Sequence, residues 1–278
     1  MSYADRIREC NTHDLARYVP FLCGGAALGY VRKDRVPRVL DFCAALHPGA
    51  HGLELATEPD DFATRSAAIA ALVDDLVALG EIPRRHGELY PAVREFGDEP
   101  FFQIDRGAVS WFGLRAFGVH LYGYVKTATG LSLWLGERAR DKPYYPGMLD
   151  QLVAGGQPIG LSLAENLRKE CAEEAGIPAA LAQRAVAAGA VRYVMETERG
   201  LKPDAMFCFD LELPAEFVPR NQDGEVERFH LLPIEAVLAL VRDTRRIKPN
   251  CNLVILDFAL RHGFLDARDL AAGGEPAR

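Results

Sequence analysis

Three glutamates, Glu170, Glu173 and Glu174, fall at i, i+3 and i+4 within the stretch Gly155–Ile177, GGQPIGLSLAENLRKECAEEAGI. On a helix this spacing brings all three onto one face. Carboxylates stacked that way repel, by about 0.2–0.5 kcal/mol per pair on an exposed helix, unless a cation sits between them. Oxygen-only ligands of that charge suit a hard divalent ion, Mg²⁺ or Mn²⁺.

The element that must carry them is well specified. Ser162 followed by Glu165 is a capping box, in which each side chain satisfies a backbone donor, so the helix starts near Ser162. Leu167, Cys171 and Ala175, with Ala164 beside them, form an apolar stripe about a quarter turn from the acids. One face therefore docks on a core while its neighbour presents carboxylates. Gly176 and Pro178 stop the helix, because glycine tolerates a left-handed cap and proline cannot continue the ladder.

These residues resemble the signature of the Nudix hydrolases, G-x5-E-x7-R-E-U-x-E-E-x-G-U with U aliphatic, carried on a loop-helix-loop. Gly155 opens the box, and Glu170, Cys171, Glu173, Glu174, Gly176 and Ile177 match its second half in order and spacing. Leu161 stands where the first glutamate belongs, and Lys169 replaces the arginine, keeping the charge without the planar fork. GVHLYGYV, KPYYPGMLDQLVAGGQP, KECAEEAGIP and LKPDAMFCFDLELP are further similar to a Nudix subfamily found alone or fused to thiamin pyrophosphokinase. Members of that subfamily carry an N-terminal extension, and often a lysine at the arginine position and no first glutamate.

The resemblance implies an α+β protein: a Nudix α/β/α sandwich with a mixed sheet, preceded by a smaller α+β module. The expected division is 1–116 for a packing or substrate-enclosing extension, 117–265 for the hydrolase domain and 266–278 for a loose tail. A chain of 278 residues is long enough for two such units. With 49% hydrophobic and 26% charged residues it should be compact. A net charge of −7 argues against nucleic acid as a partner, since that surface needs clustered basic residues. The absence of a long apolar run argues against a membrane, and the start MSYADRIREC lacks the apolar core of a signal peptide, so the expected compartment is the cytoplasm. Six cysteines without a CxxC pair read as reduced, buried thiols.

In the extension, helical periodicity covers 5–18, 37–46 and 61–79, a strand pair with a glycine turn lies in PFLCGGAALGYVRK, and extended runs lie at 88–93 and in FFQIDR. Beyond it, Val119, Leu121 and Val125 point one way from a strand while His120, Tyr122, Tyr124 and Lys126 point the other. A turn at Thr129-Gly130 joins this strand to LSLWLGER as a hairpin. The extended run 187–198 should pair with 204–213, and two helices, one begun by Pro233, should close the domain.

An aromatic and basic strand face could stack a flat ring bearing a diphosphate, which makes His120, Tyr122, Tyr124 and Trp134 substrate-binding candidates, although aromatic strand faces are commonly core. Arg138, Arg140 and Lys142 lie close enough in sequence to the glycine loop for at least one to steady the diphosphate. The resemblance implies that Gly155 (through its carbonyl), Glu170, Glu173 and Glu174 hold Mg²⁺ or Mn²⁺, which neutralises phosphoryl charge and acidifies a water. A box glutamate or Glu225 would act as general base, and Lys169 would fix Glu170 or touch phosphate. The expected reaction is attack of water on a diphosphate of thiamin or its oxidised analogues, giving the monophosphate. The alternatives are hydrolysis of a nucleoside diphosphate derivative and a non-catalytic binding module, with a homodimer left open.

Overall fold

The computed structural model describes residues 2–128 and 130–271. The first half is organised on a four-stranded sheet in the order Ala26–Arg32, Tyr18–Cys23, Gly52–Leu55, Leu46–Gly49. Gly24 and Gly25 turn the first hairpin with φ of 56° and 72°, a region that side-chain-bearing residues avoid. The helix Phe62–Ala78 starts at Asp61, whose carboxylate accepts from Thr64 N, and buries Ile69, Leu72, Val73 and Leu76. They join Phe21, Leu53, Phe102, Trp111 and Phe112 in a core of their own.

Two expected helices are shorter than their periodicity suggested. The first ends at Glu9; Asp14 then caps a single turn at Leu15–Arg17, and Tyr18 opens a strand. The second ends at Phe42, because Cys43 is extended and Leu46 begins a hairpin paired to Leu55. That hairpin competes for the apolar residues that had suggested helix.

The second half is the α/β/α sandwich. Its central strand, Phe117–Thr127, runs parallel to Ala205–Glu212 and antiparallel to Gly130–Arg138, so the seven-stranded sheet is mixed. The hairpin between Phe117–Thr127 and Gly130–Arg138 forms as expected, with Thr127 opposite Gly130, while Thr129 lies outside the described residues. The expected extended run 187–198 is two strands, Val186–Arg192 and Met195–Thr197; the first pairs with Ala205–Glu212 and the second with Gly200–Lys202.

The alternation along the central strand sorts its side chains into two cores. Val119, Leu121 and Val125 pack with Leu167, Cys171 and Ala175 of the box helix Leu163–Ala175. Tyr122 and Tyr124 pack under the helices Ile234–Asp243 and Pro249–Arg261. All six cysteines are buried and free. Ala267–Ala271, expected as part of a loose tail, form a short helix against the first one, and residues 272–278 lie outside the described residues.

The first helix, Tyr3–Glu9, packs on the second half. Arg6, 1% exposed, donates through Nε to Val241 O at 2.7 Å and through Nη2 to Thr244 O. Tyr3 and Cys10 complete the core under the closing helices. The chain thus begins on one half, builds the other, and returns.

A buried ion cluster pins the closing helix to the sheet. Asp150 Oδ2 accepts from Arg138 Nη1 at 2.8 Å and Lys248 Nζ at 3.0 Å, while Oδ1 accepts from Cys251 Sγ at 2.7 Å and Gln151 N at 2.9 Å. Burial works against the Asp150 charge, but the two cations hold its carboxyl well below the usual range. Asp150→Asn leaves both cations without their counter-charge, so chemical denaturation should show a loss of about 3–5 kcal/mol. A loss below about 1 kcal/mol would mean that water screens the cluster.

Candidate active site

Local chemistry makes the box helix as the sequence implies. Ser162 Oγ accepts from Glu165 N at 3.2 Å, Glu165 Oε2 accepts from Ser162 N at 2.9 Å, and Gly176 ends the helix at φ 62°. Leu167, Cys171 and Ala175 are buried, but Ala164 is exposed and Leu163 extends the stripe instead. Sequence reasoning missed the amides that hold the glycine loop over the helix. Asn166, fully buried, donates to Gly156 O at 2.7 Å and to Gln157 Oε1 at 3.1 Å, and Gln157 donates to Leu161 O at 2.6 Å. An asparagine four residues after the helix cap, facing a glycine loop, was the available signal.

Glu170 and Glu174 are each only 8% exposed, whereas Glu173 is exposed. The Glu170 carboxyl fills the place of a side chain at Gly155: a Cβ there would overlap Glu170 Cδ and lie 2.6 Å from Oε2. A Cβ on Gly118, across the pair, would lie 2.9 Å from Gly155 O. Glu174 Oε2 accepts from Ala154 N at 2.8 Å. Lys169 Nζ bridges Glu170 at 3.1 Å and Glu173 at 2.8 Å.

Burial raises the pKa of Glu174 to about 8 against the help of the Ala154 amide, and Glu170 adds to the rise. Burial also raises Glu170; Lys169 opposes this, and the Glu173 and Glu88 charges reinforce it. Burial works against the Lys169 charge, yet its bonds to Glu173 and Glu170 raise its pKa on balance. Two buried acids that resist ionising, beside a backbone carbonyl cleared of side chains, are a donor set that fits a hard divalent cation.

The other candidates separate. Glu225, about half exposed, ion-pairs with Lys142 Nζ at 2.6 Å, and its charge still reaches Glu174. Arg140 is exposed and pairs with Glu227 at 3.4 Å. Tyr122 and Tyr124 are not available to substrate, a correction to the strand-face expectation. Their rings lie 4.8 and 5.7 Å from that of Phe258, and Tyr122 Oη donates to Val254 O, because the helix Pro249–Arg261 covers that face.

His120 is buried on the same side, and burial, with Lys248, lowers its pKa to about 4. Its ligand atom lies within 4.8 Å of those of Asp150 and Cys251, but Asp150 already binds two cations, which disfavours a metal there. The same ion cluster corrects the reading of Arg138, whose guanidinium it occupies. Trp134 alone of the four ring candidates packs on the box-helix side, with its buried Nε1–H unpartnered among the described residues.

Two measurements check this arrangement. Gly155→Ala forces the Glu170 carboxyl aside at about 1–3 kcal/mol of overpacking, so calorimetry should show Mg²⁺ affinity falling about tenfold or more with the fold retained. Between its unfolded value near 4.5 and its folded value near 8, Glu174 holds a proton in the folded chain that the unfolded chain has released, so stability falls as pH rises through that window. In chelator, melting should therefore be lower at pH 8.5 than at pH 6, with Mg²⁺ restoring most of the difference and Glu174→Gln reducing it. An equal slope in Glu174→Gln would remove the assignment.

A family described as a domain of unknown function (DUF4743) matches residues 2–116. Nudix hydrolase 20, chloroplastic, of Arabidopsis thaliana is 41% identical over 277 residues, covering 95% of this chain and 73% of its own. Nudix hydrolase 24, chloroplastic, of the same plant is 40% identical over 267 residues with the same coverage of 95% and 73%. A crystal structure from Deinococcus radiodurans is similar over 62% of this chain and 98% of its own, at 23% identity and a TM-score of 0.47. Identity of this order across nearly the whole chain, joined to the buried box acids, leads to one conclusion: the chain belongs to the Nudix hydrolase family.

Proposed function

We propose that this hydrolase cleaves the diphosphate of thiamin diphosphate or its oxidised analogues, releasing the monophosphate and phosphate. The observation that carries hydrolysis is the pair of buried acids, Glu170 set against Gly155 and Glu174 on the Ala154 amide, a donor set for a hard cation. The substrate class is supported by the segments around the box, GVHLYGYV, KPYYPGMLDQLVAGGQP and LKPDAMFCFDLELP, which resemble the thiamin-pyrophosphokinase-related subfamily. Trp134, on the box-helix side, supports recognition of a flat ring.

Glu170, Glu173, Glu174 and the Gly155 carbonyl would hold Mg²⁺ or Mn²⁺. When bound, that ion neutralises charge on the phosphoryl oxygens and lowers the pKa of water. Lys169 keeps Glu170 and Glu173 at fixed separation. The Ala154 amide orients Glu174, leaving its second oxygen to take a proton from the attacking water. As the water oxygen bonds to phosphorus, the bridging P–O bond breaks and the monophosphate leaves. Glu225 becomes a second acceptor if Lys142 releases it to the substrate phosphates.

The test is phosphate release from thiamin diphosphate, its oxo analogues, ADP-ribose and nucleoside triphosphates, with Mg²⁺ or chelator. Thiamin-type compounds should be cut fastest, chelator should abolish cleavage, and Glu174→Gln should lower kcat about 10²–10⁴-fold. Faster cleavage of a nucleotide moves the substrate to nucleoside diphosphate derivatives, and binding without cleavage refutes the hydrolytic roles.

A further inference from the structure

The N-terminal half reaches the glycine loop. Ile159 N donates to Leu89 O at 2.9 Å, and a Cβ on Gly156 would overlap Tyr90 Oη and lie 3.3 Å from Arg106 Cζ. Arg106 is therefore seated one residue from the glycine that cradles Glu170. Its backbone is fixed as well. Asp105, 4% exposed, accepts from His86 N at 2.9 Å, Gly87 N at 2.8 Å and Gly107 N at 2.8 Å, and Arg106 N donates to Glu88 O at 2.9 Å.

The cations around the box differ in what they already hold. Lys169 is shared between two box acids, Lys142 is paired with Glu225, and Arg138 is sunk in the Asp150 cluster. Arg106 uses one nitrogen: Nη1 donates to Glu88 Oε2 at 2.9 Å, the one side-chain hydrogen bond it makes among the described residues. Its guanidinium lies 5.8 Å from the Tyr90 ring centroid, and its side chain is 43% exposed. A planar fork, held at its base and free on one edge, can take two phosphate oxygens at once, which the lysine at the box position cannot.

We propose that Arg106, supplied by the N-terminal half, is a substrate-binding residue of the box site that grips the diphosphate, with Glu88 and Tyr90 positioning it. The assignment rests on the diphosphate-hydrolase reading above. It gives the extension a chemical task at the site, in place of simple packing. The field agrees with this placement: burial works against the Arg106 charge, while Tyr90, Glu88 and Glu225 favour it.

The probe is imidodiphosphate, whose P–N–P bridge is not hydrolysed, titrated calorimetrically into the full chain with Mg²⁺. Mg²⁺ alone is titrated in parallel, and kcat and KM are measured on the best substrate. Arg106→Gln should weaken imidodiphosphate about 10- to 100-fold and raise KM, while Mg²⁺ affinity and melting stay at wild-type values. Arg106→Lys, which keeps the charge and can keep the Glu88 pair, should recover only part of the loss.

Wild-type imidodiphosphate affinity in either variant overturns the proposal, as does a loss matched by an equal loss of Mg²⁺ affinity. If Arg106→Gln does not fold, Arg106→Lys decides alone by the same comparison. A wild-type protein that binds imidodiphosphate through Arg106 but cleaves nothing would sink the hydrolase reading and leave this one standing. Metal-dependent cleavage indifferent to both variants would do the reverse.

Discussion

Two carboxylic acids, Glu170 and Glu174, lie side by side in the protein interior, and the architecture around the site follows from making that tolerable. Burying one carboxylate is unfavourable and burying two together more so, unless charge of the opposite sign and hydrogen-bond donors converge on them. Lys169 and the Ala154 amide supply part of this, and the acids remain harder to ionise than in water. A divalent ion bound between them would relieve the remainder, so that the same burial that costs stability would build affinity for the ion. The glycines at 118 and 155 belong to the same constraint, since side chains there would occupy the volume of the Glu170 carboxyl or crowd the Gly155 carbonyl.

The mixed sheet keeps the Asp150 ion cluster and the box acids on opposite faces. On one face the closing helices take up the aromatic and cationic side chains of the central strands: Tyr122 and Tyr124 against Phe258, and Arg138 in the Asp150 cluster. On the other, the box helix docks by Leu167, Cys171 and Ala175 and turns Glu170 and Glu174 toward the glycine strand. The N-terminal half bears on this site twice over. Its strand Leu89–Ala92 bonds to the loop at Ile159, and Tyr90 with Arg106 occupies the space that a side chain at Gly156 would need. Meanwhile the first helix, through buried Arg6, ties the chain's beginning to the face that carries no box acids.

Local chemistry made the box helix legible in the sequence alone. Its start is a reciprocal side-chain bond between Ser162 and Glu165, its end a left-handed glycine, and its two faces a matter of helical spacing; none of these needs a distant partner. The alternation of Val119, Leu121 and Val125 with Tyr122 and Tyr124 was equally local and equally readable. Which of those two faces would meet substrate was not, because a strand's pattern says that two faces differ without saying what covers each. A helix more than a hundred residues downstream decided it for Tyr122 and Tyr124. The Asp150 cluster that occupies Arg138 likewise needs Lys248, and the segment after Glu9 is met by Glu196 N, which donates to Thr12 O, so both depend on partners far along the chain. Sequence thus determined the identity and spacing of the acids and the element that bears them. Tertiary structure alone decided which acids are buried, which partner each cation takes, and that Arg106 from the other half stands beside the glycine loop, since burial and charge pairing are properties of neighbours in space.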